Sequence, residues 1–160
     1  MKEQTIWNQT TSLIVTYNFK GEEDIMAFRK ALDRQLNESA VERVIIIVPV
    51  PRHVDKTKLS PHFLIYYNSP SDYTFFGKLK DMQLKNELKR SFDLMLSFGK
   101  VNRKIERHLN KMDISRKILV NAESSNDPSY ELELNSTSES PQEIIKFVIE
   151  TLQKINTNES

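Results

Sequence analysis

The 160-residue sequence contains no cysteine and only three glycines, although 38% of it is hydrophobic and 28% is charged. Without cysteine there is no thiol nucleophile, no disulfide and no cysteine-based zinc or iron–sulfur site. A domain of this length buries roughly 68–70% of its unfolded surface, so it needs no such support. We therefore expect one α/β domain over residues 1–160, with a folded core at 12–155 and frayed ends at 1–8 and 156–160.

The scarcity of glycine excludes the two common phosphate-binding loops. The glycines lie at Gly21, Gly77 and Gly99, too far apart for G-x-G-x-x-G or G-x-x-x-x-G-K-[ST]. The N-terminus lacks the apolar region of a signal peptide, and the longest apolar run, Val44–Pro51, is far shorter than the roughly 20 residues that span a bilayer. The sequence thus predicts a cytoplasmic protein without a membrane partner.

Histidines and carboxylates do not form a recognisable catalytic or metal centre. His53, His62 and His108 match neither H-x-x-x-H nor H-E-x-x-H, and no spacing indicates a Ser-His-Asp triad or a carboxylate pair. Asp93 stands inside an apolar run, where burial would raise its pKa unless it is paired; a structural hydrogen bond or exposure at the strand start is the alternative. These residues favour a non-enzymatic protein with no cofactor and no metal.

Short apolar runs alternate with stretches of helical periodicity along the chain. Strands are predicted at 13–17, 44–48, 63–67, 92–98, 117–120 and 130–134, and helices at 25–36, 82–90, 100–112 and from Ser140 onwards. Ser140 and Glu143 match a capping box with Pro141 at the first helical position. The order predicts a three-layer α/β sandwich around a mostly parallel, Rossmann-like central sheet, with the alternating run 130–134 as an edge strand.

A net charge of only +1 hides a very uneven charge distribution. The net charge is 0 over residues 1–77, +7 over 78–117 and −6 over 118–160. We call residues 78–117 the basic segment. Its helix carries a stripe of basic residues at Lys100, Arg103, Lys104, Arg107 and Lys111. Such a stripe can follow a phosphate backbone, pair with the acidic 118–160 region of the same molecule, or bind an acidic protein.

Two aromatic residues stand at the start of this segment. Phe75 and Phe76 lie beside Lys78 and Lys80 in a loop that Gly77 allows to turn. Such a loop can stack a base or hold a partner, or the two rings can tuck under the loop and seal the sheet edge. The predicted contact surface therefore comprises Lys78, Lys80, Lys100, Arg103, Lys104, Arg107, Lys111, Phe75 and Phe76.

A second candidate site surrounds Gly99, between a predicted strand and the basic helix. Open α/β sheets bind ligands at this kind of position through helix N-terminal amides. Ser97, Gly99 and Asn102, together with Lys100, are candidates to hold an anion. The site gives an alternative function, a degenerate transferase-like domain that binds a phosphorylated or nucleotide ligand.

Four short motifs also carry a family resemblance. They are Phe75-Phe-Gly-Lys-Leu-Lys80, Phe92-Asp-Leu-Met-Leu-Ser-Phe98, the strand Lys117-Ile-Leu-Val120 and the helix start Pro141-Gln-Glu-Ile-Ile145. On them, the chain resembles a domain-of-unknown-function family of small bacterial α/β proteins, which implies an α/β fold and supplies no chemistry. The strand-helix-strand rhythm is also similar to the N-terminal halves of two-domain glycosyltransferases. Their donor-binding second half has no counterpart in these residues, so no activity is carried over.

Taken together, these patterns predict a binding or assembly protein. Its basic segment is expected to dock onto RNA, a ribonucleoprotein or an acidic protein partner. The charge of the segment and its aromatic loop carry this expectation.

Overall fold

A computed structural model describes residues 4–122 and 128–157 and shows a six-stranded sheet with helices on both faces. The strands are β1 (Ser12–Tyr17), β2 (Arg43–Pro49), β3 (Ile65–Asn68), β4 (Phe92–Phe98), β5 (Ile114–Val120) and β6 (Leu132–Leu134). The helices are α1 (Ile6–Gln9), α2 (Glu22–Leu36), α3 (Met82–Glu87), α4 (Arg103–Asn110) and α5 (Pro141–Leu152). The predicted α/β class is confirmed.

Every pairing in this sheet is parallel, and the strand order is β3-β2-β1-β4-β5-β6. This is the order of Rossmann-like sheets, in which the direction of winding reverses between β1 and β4. Loops that follow these two strands diverge at the reversal and leave a crevice at the carboxyl edge. The predicted C-terminal edge strand is confirmed, because β6 pairs only with β5 among the described strands.

Successive side chains of a strand lie on opposite faces of the sheet, so the consecutive apolar residues of these strands cover both faces. Leu13 and Val15 of β1 pack with α2 and α5 on one face, whereas Ile14 packs with α3 and α4 on the other. Because both faces are covered, a strand in the middle of the sheet is apolar at consecutive positions. The three predicted layers therefore follow directly from the apolar runs.

Helix α2 forms where the sequence predicts it. Its apolar positions Ile25, Phe28 and Leu32 are each 0% exposed. Three acidic residues occupy its first turn, where the positive end of the helix dipole favours them. Phe28 stacks on Tyr17 of β1 with ring centroids 3.8 Å apart, which fixes the helix to the sheet.

The start of α5 differs in detail from the prediction. Pro141 is the first helical residue, as expected of a residue that has no N–H to donate. The side chain of Ser140 makes no capping hydrogen bond, so the predicted capping box is wrong. A capping box does occur elsewhere, between Ser69 and Asp72 around the 3₁₀ turn Pro70–Asp72.

The N-terminal residues are packed, contrary to the prediction of a frayed end. Ile6 and Trp7 of α1 are 3% and 2% exposed. The amide of Ile6 donates to the carbonyl of Ile155 at 2.9 Å, and that of Thr157 donates to Gln4 at 2.8 Å. Fraying is therefore wrong for residues 4–8 and 156–157, and the rest of the two predicted ends lies outside the described residues. Helix α1 has only four residues, too few for the spacing of its apolar residues to indicate a helix in the sequence.

Several elements have different bounds from those predicted. Helix α3 ends at Glu87 rather than at residue 90, and β6 begins at Leu132 rather than at residue 130. Strand β3 begins two residues late, because Phe63 is 81% exposed and Leu64 has a φ of 71° that interrupts the extended backbone. Strand β5 begins already at Ile114. Helix α4 begins at Arg103, since the side chain of Asn102 accepts a hydrogen bond from the amide of Ile105 and caps it.

Candidate functional site

A tight turn in the basic loop presents two phenylalanines to solvent. The amide of Gly77 donates to the carbonyl of Thr74 at 2.9 Å, and the amide of Thr74 donates to the carbonyl of Lys78 at 2.7 Å. Gly77 has a φ of 81°, which glycine adopts without steric cost. Phe75 and Phe76 are 97% and 86% exposed, so the alternative in which both rings tuck under the loop is wrong.

The residues on either side of this turn are buried and fix its position. Tyr73 and Leu79 form an antiparallel bridge, and the Tyr73 hydroxyl donates to Asn68 Oδ1 at 2.7 Å. Burial raises the pKa of Tyr73 to about 12 despite that hydrogen bond, so the phenol stays neutral. His108 of α4 donates from Nε2 to the carbonyl of Gly77 at 3.0 Å. The turn is thus attached to the basic helix.

A groove of about 340 Å³ lies between the turn, α3 and α4. It is lined by Lys78, Leu79, Lys85, Leu88, Lys89, His108 and Lys111. Its four lysines are all exposed, and the two leucines supply apolar surface beside them. Within the described chain, this lining includes no carboxylate. The groove therefore concentrates positive charge in a concave surface, where it attracts anions.

Helix α4 extends this charge away from the groove. Ile105 and Leu109 are buried against the sheet, whereas the exposed positions carry Arg103, Lys104, Arg107 and, at the C-cap, Lys111. Arg103, Arg107 and Lys111 are spaced four residues apart and Lys104 lies three residues before Arg107, so the four share one side of the helix. Lys104 Nζ lies 5.6 Å from the centroid of the Tyr73 ring, which brings this side next to the turn.

Intramolecular ion pairing neutralises little of the basic segment. Among residues 4–122 and 128–157, the only ion pair formed by the segment joins Arg116 to Glu131 at 2.7 Å. The alternative in which the segment pairs with the acidic 118–160 region is thus limited, in the described part of the chain, to this one contact. The groove lysines remain available to an external anion.

Of the nine predicted contact residues, only Lys78 and Lys111 line the groove. Two of the others, Lys80 and Lys100, belong neither to the turn's aromatic pair nor to helix α4. Lys80 is exposed, but it lies outside the groove lining. Lys100 lines a separate crevice of about 510 Å³ at the carboxyl edge of the sheet, together with Asn18 and Asn102. This crevice marks the reversal between β1 and β4, where open sheets of this topology bind ligands.

Two predicted polar side chains at the crevice are already engaged in hydrogen bonds within the protein. Ser97 is 0% exposed, and its hydroxyl accepts from Thr16 at 2.7 Å and donates to the carbonyl of Gly99 at 2.9 Å. The side-chain Oδ1 of Asn102 accepts from the amide of Ile105 and caps α4. Ser97 and Asn102, two of the four predicted anion ligands, are therefore engaged in structural hydrogen bonds.

The helix that follows β1 also disfavours a phosphate. In Rossmann-like sheets a phosphate lies at this helix N-terminus. Here the first turn of α2 carries Glu22, Glu23 and Asp24. These carboxylates repel an anion at the position where the fold would otherwise bind it.

Asp93 has a structural role at the opposite, amino edge of the sheet. Its Oδ2 accepts from the amide and hydroxyl of Thr11, both at 2.8 Å, and from the amide of Ser12 at 3.3 Å. Partial burial by itself would raise the pKa of Asp93, but these hydrogen bonds and the nearby Arg43 hold it below its ordinary value. The carboxylate joins the starts of β1 and β4.

Comparisons with protein-family models, with curated proteins and with solved structures find no match. The family resemblance of the motifs at 75–80 and 92–98 stays a prediction. Within the described ranges, no group of three or more histidines and carboxylates could hold a metal ion. In the same ranges, no helix is long and apolar enough to cross a membrane.

The predicted contact surface does not include three polar residues of the groove, Lys85, Lys89 and His108. Lys85 and Lys89 were recognisable as members of the basic segment, and their spacing of four residues indicates a shared side. Nothing local indicates that this side faces Lys111 of α4. His108 matched no metal motif, and its position beside Gly77 depends on the packing of α4 against the loop.

Proposed function

We propose that this protein is a non-enzymatic, cytoplasmic RNA-binding protein that docks through its basic segment, as a subunit of a ribonucleoprotein assembly. The observation that carries the proposal is the convergence of Lys78, Lys85, Lys89 and Lys111 on one groove whose described lining has no carboxylate. Each lysine that contacts a phosphate releases condensed counterions, which gives affinity independent of base sequence.

The exposed side of α4 supports the same partner. Eight residues of helix extend about 12 Å, and Arg103, Lys104 and Arg107 continue the charge of the groove along this length. A polyanion with regularly repeated charges can contact the groove and the helix at once. An acidic protein offers charge but no regular series of flat rings to contact Phe75 and Phe76, which favours RNA.

The test is a fluorescence-anisotropy titration with a labelled 12-nucleotide oligouridine at several salt concentrations. We expect log affinity to fall linearly with log salt. The triple variant Lys85→Glu/Lys89→Glu/Lys111→Glu should weaken binding more than tenfold at low salt. It should also reduce the salt slope by about 2, at roughly 0.7 per lost phosphate contact.

The matched control is Lys30→Glu/Lys146→Glu/Lys154→Glu, which changes the net charge equally at exposed lysines outside the basic segment. It should bind nearly as well as the parent protein. Absence of binding by the parent at low salt, or equal weakening by both triple variants, would overturn the proposal. Partners retained after nuclease treatment of affinity-purified complexes would favour an acidic protein instead.

The alternative, a degenerate transferase-like domain with a phosphorylated or nucleotide ligand near Gly99, has weaker support. Ser97 is inaccessible, and the first turn of α2 is acidic. A thermal-shift screen with nucleotides and sugar nucleotides tests it, because a ligand at 100 times its Kd adds about 2.7 kcal/mol of stability.

A further inference from the structure

We propose that the turn bearing Phe75 and Phe76 makes the protein select single-stranded RNA over duplex RNA. Unpaired bases stack on the two rings while the adjoining phosphates lie over the groove lysines. This inference rests on the proposed function, since the lysines must first hold the RNA. It adds a separate role for the aromatic turn, one that the charge of the basic segment does not supply.

The two rings are arranged as accessible stacking surfaces. Their centroids lie 5.4 Å apart with an interplanar angle of 87°, so the edge of one ring meets the face of the other. This contact leaves ring faces open in two directions, and Phe75 and Phe76 are 97% and 86% exposed. Bases stack on such aromatic faces with little regard to sequence, because every base has a π-face.

The backbone beneath the rings is held in place rather than free. The carbonyl of Gly77 accepts from His108, and the amide of Lys78 donates to Thr74 Oγ1 at 3.0 Å. Phe76 and Lys78 are two residues apart, and two residues of extended polypeptide span at most about 7 Å. The phosphate of a nucleotide whose base stacks on Phe76 therefore stays near Lys78. The rings are attached two and three residues before Lys78, which lines the groove.

Duplex RNA cannot use the aromatic part of this surface. Its bases are stacked within the helix, and its deep, narrow major groove does not admit side chains to their edges. The lysines contact phosphates of either form. The two kinds of residue thus make separable contributions: lysines set the salt-dependent affinity for both RNAs, and the phenylalanines set the preference for unpaired nucleotides.

An anionic membrane is the other partner that combines apolar and acidic groups. The position of the lysines disfavours it. Lys78, Lys85, Lys89 and Lys111 line a groove between the turn, α3 and α4 rather than a flat rim around the rings. A nucleic-acid strand can enter a groove, whereas a flat bilayer cannot follow it.

The test compares a 12-nucleotide oligouridine with a 12-base-pair RNA duplex by anisotropy at one salt concentration. The parent protein should bind the single strand at least tenfold more tightly. Phe75→Leu/Phe76→Leu keeps the apolar character of the turn and removes its flat rings. It should lower single-strand affinity at least tenfold and leave duplex affinity and salt slope unchanged.

Phe63→Leu is the matched control, because Phe63 is 81% exposed at another site and should leave both affinities unchanged. An unfolding midpoint equal to that of the parent shows that the double variant is folded, as expected for two exposed residues. Phe75→Ser/Phe76→Ser serves as a second variant and should give the same loss.

The possible outcomes separate this inference from the proposed function. Equal affinity of the parent for both RNAs, or an equal loss of both in the Phe75→Leu/Phe76→Leu variant, overturns the inference and leaves RNA docking intact. Absence of RNA binding by the parent overturns the proposed function itself. Binding to phosphatidylserine vesicles that needs the two rings, without binding to RNA, assigns the turn to membranes and overturns both.

Discussion

His108 Nε2 donates a hydrogen bond of 3.0 Å to the carbonyl of Gly77, joining the basic helix to the turn that carries the exposed phenylalanines. The imidazole also lies against the Tyr73 ring, with centroids 5.7 Å apart. The orientation of the turn and the placement of the α4 cations are consequently coupled through one side chain. This coupling keeps the two parts of the proposed surface in register.

His108→Ala should loosen the turn. Loss of one hydrogen bond from a partly buried group should lower the free energy of unfolding by about 1 kcal/mol. Amide hydrogen exchange at Gly77 and Lys78 should become faster, since both amides donate within the turn. His53→Ala, at an exposed position, is the control and should change neither quantity. Unchanged exchange at both amides would show that His108 does not hold the turn.

Gly77→Ala should destabilise the protein through backbone strain alone. A Cβ at this position meets nothing within 4 Å, but the φ of 81° is costly for alanine, by about 1–2 kcal/mol. Gly77→Asn should cost less, because asparagine visits this left-handed conformation more readily. Urea unfolding of both variants measures the difference. If alanine were tolerated as well as asparagine, the conformation of the turn would have to differ from the one described.

Asp93→Asn should lower stability at neutral pH. The substitution replaces a carboxylate that accepts hydrogen bonds from Thr11 and Ser12, at a cost of about 1 kcal/mol, a low value because solvent screens this partly exposed group. The pKa of Asp93 in the folded protein lies below its ordinary value. Its stabilisation is therefore complete above the unfolded-state pKa of about 3.9 and is lost as the pH falls through the folded-state pKa.

Denaturant unfolding of the parent and Asp93→Asn proteins from pH 7 to pH 2 checks this sign. The difference between their free energies of unfolding should shrink as the pH falls. Glu150→Gln, at an exposed position of α5, controls for the loss of one negative charge and should stay close to the parent throughout. A difference that grows on acidification would contradict the assignment.

Trp7→Ala should be strongly destabilising, by about 3–5 kcal/mol, because Trp7 is 2% exposed and its removal leaves a cavity. Gln9→Ala, on the exposed side of α1, should have little effect. Trp7 is the single tryptophan of the chain, so its fluorescence reports on this helix directly. Its emission should be blue-shifted in the native protein and move to the red together with the loss of far-ultraviolet circular dichroism. An earlier transition would mean that α1 detaches independently.

Regular periodicity made much of the fold predictable. The apolar positions of α2 recur at helical spacing, and the run Phe92–Phe98 is a strand with the predicted bounds. Such elements can be recognised because the spacing of apolar residues within the element itself indicates which of its side chains are buried. Trp7 shows where this reasoning ends: α1 is one short turn, and its burial against α5 depends on residues near the other end of the chain.

Some features of the candidate site could likewise be predicted from the sequence, and others could not. The sequence by itself determined the excess of positive charge in residues 78–117 and the aromatic pair beside it, because composition and local order need no folding. Only the tertiary structure decided that Phe75 and Phe76 face solvent, and that Lys85 and Lys89 meet Lys111 across a groove. Exposure and convergence depend on contacts between elements far apart in the chain, and the strand order that brings α3 and α4 together leaves no local trace in the residues themselves.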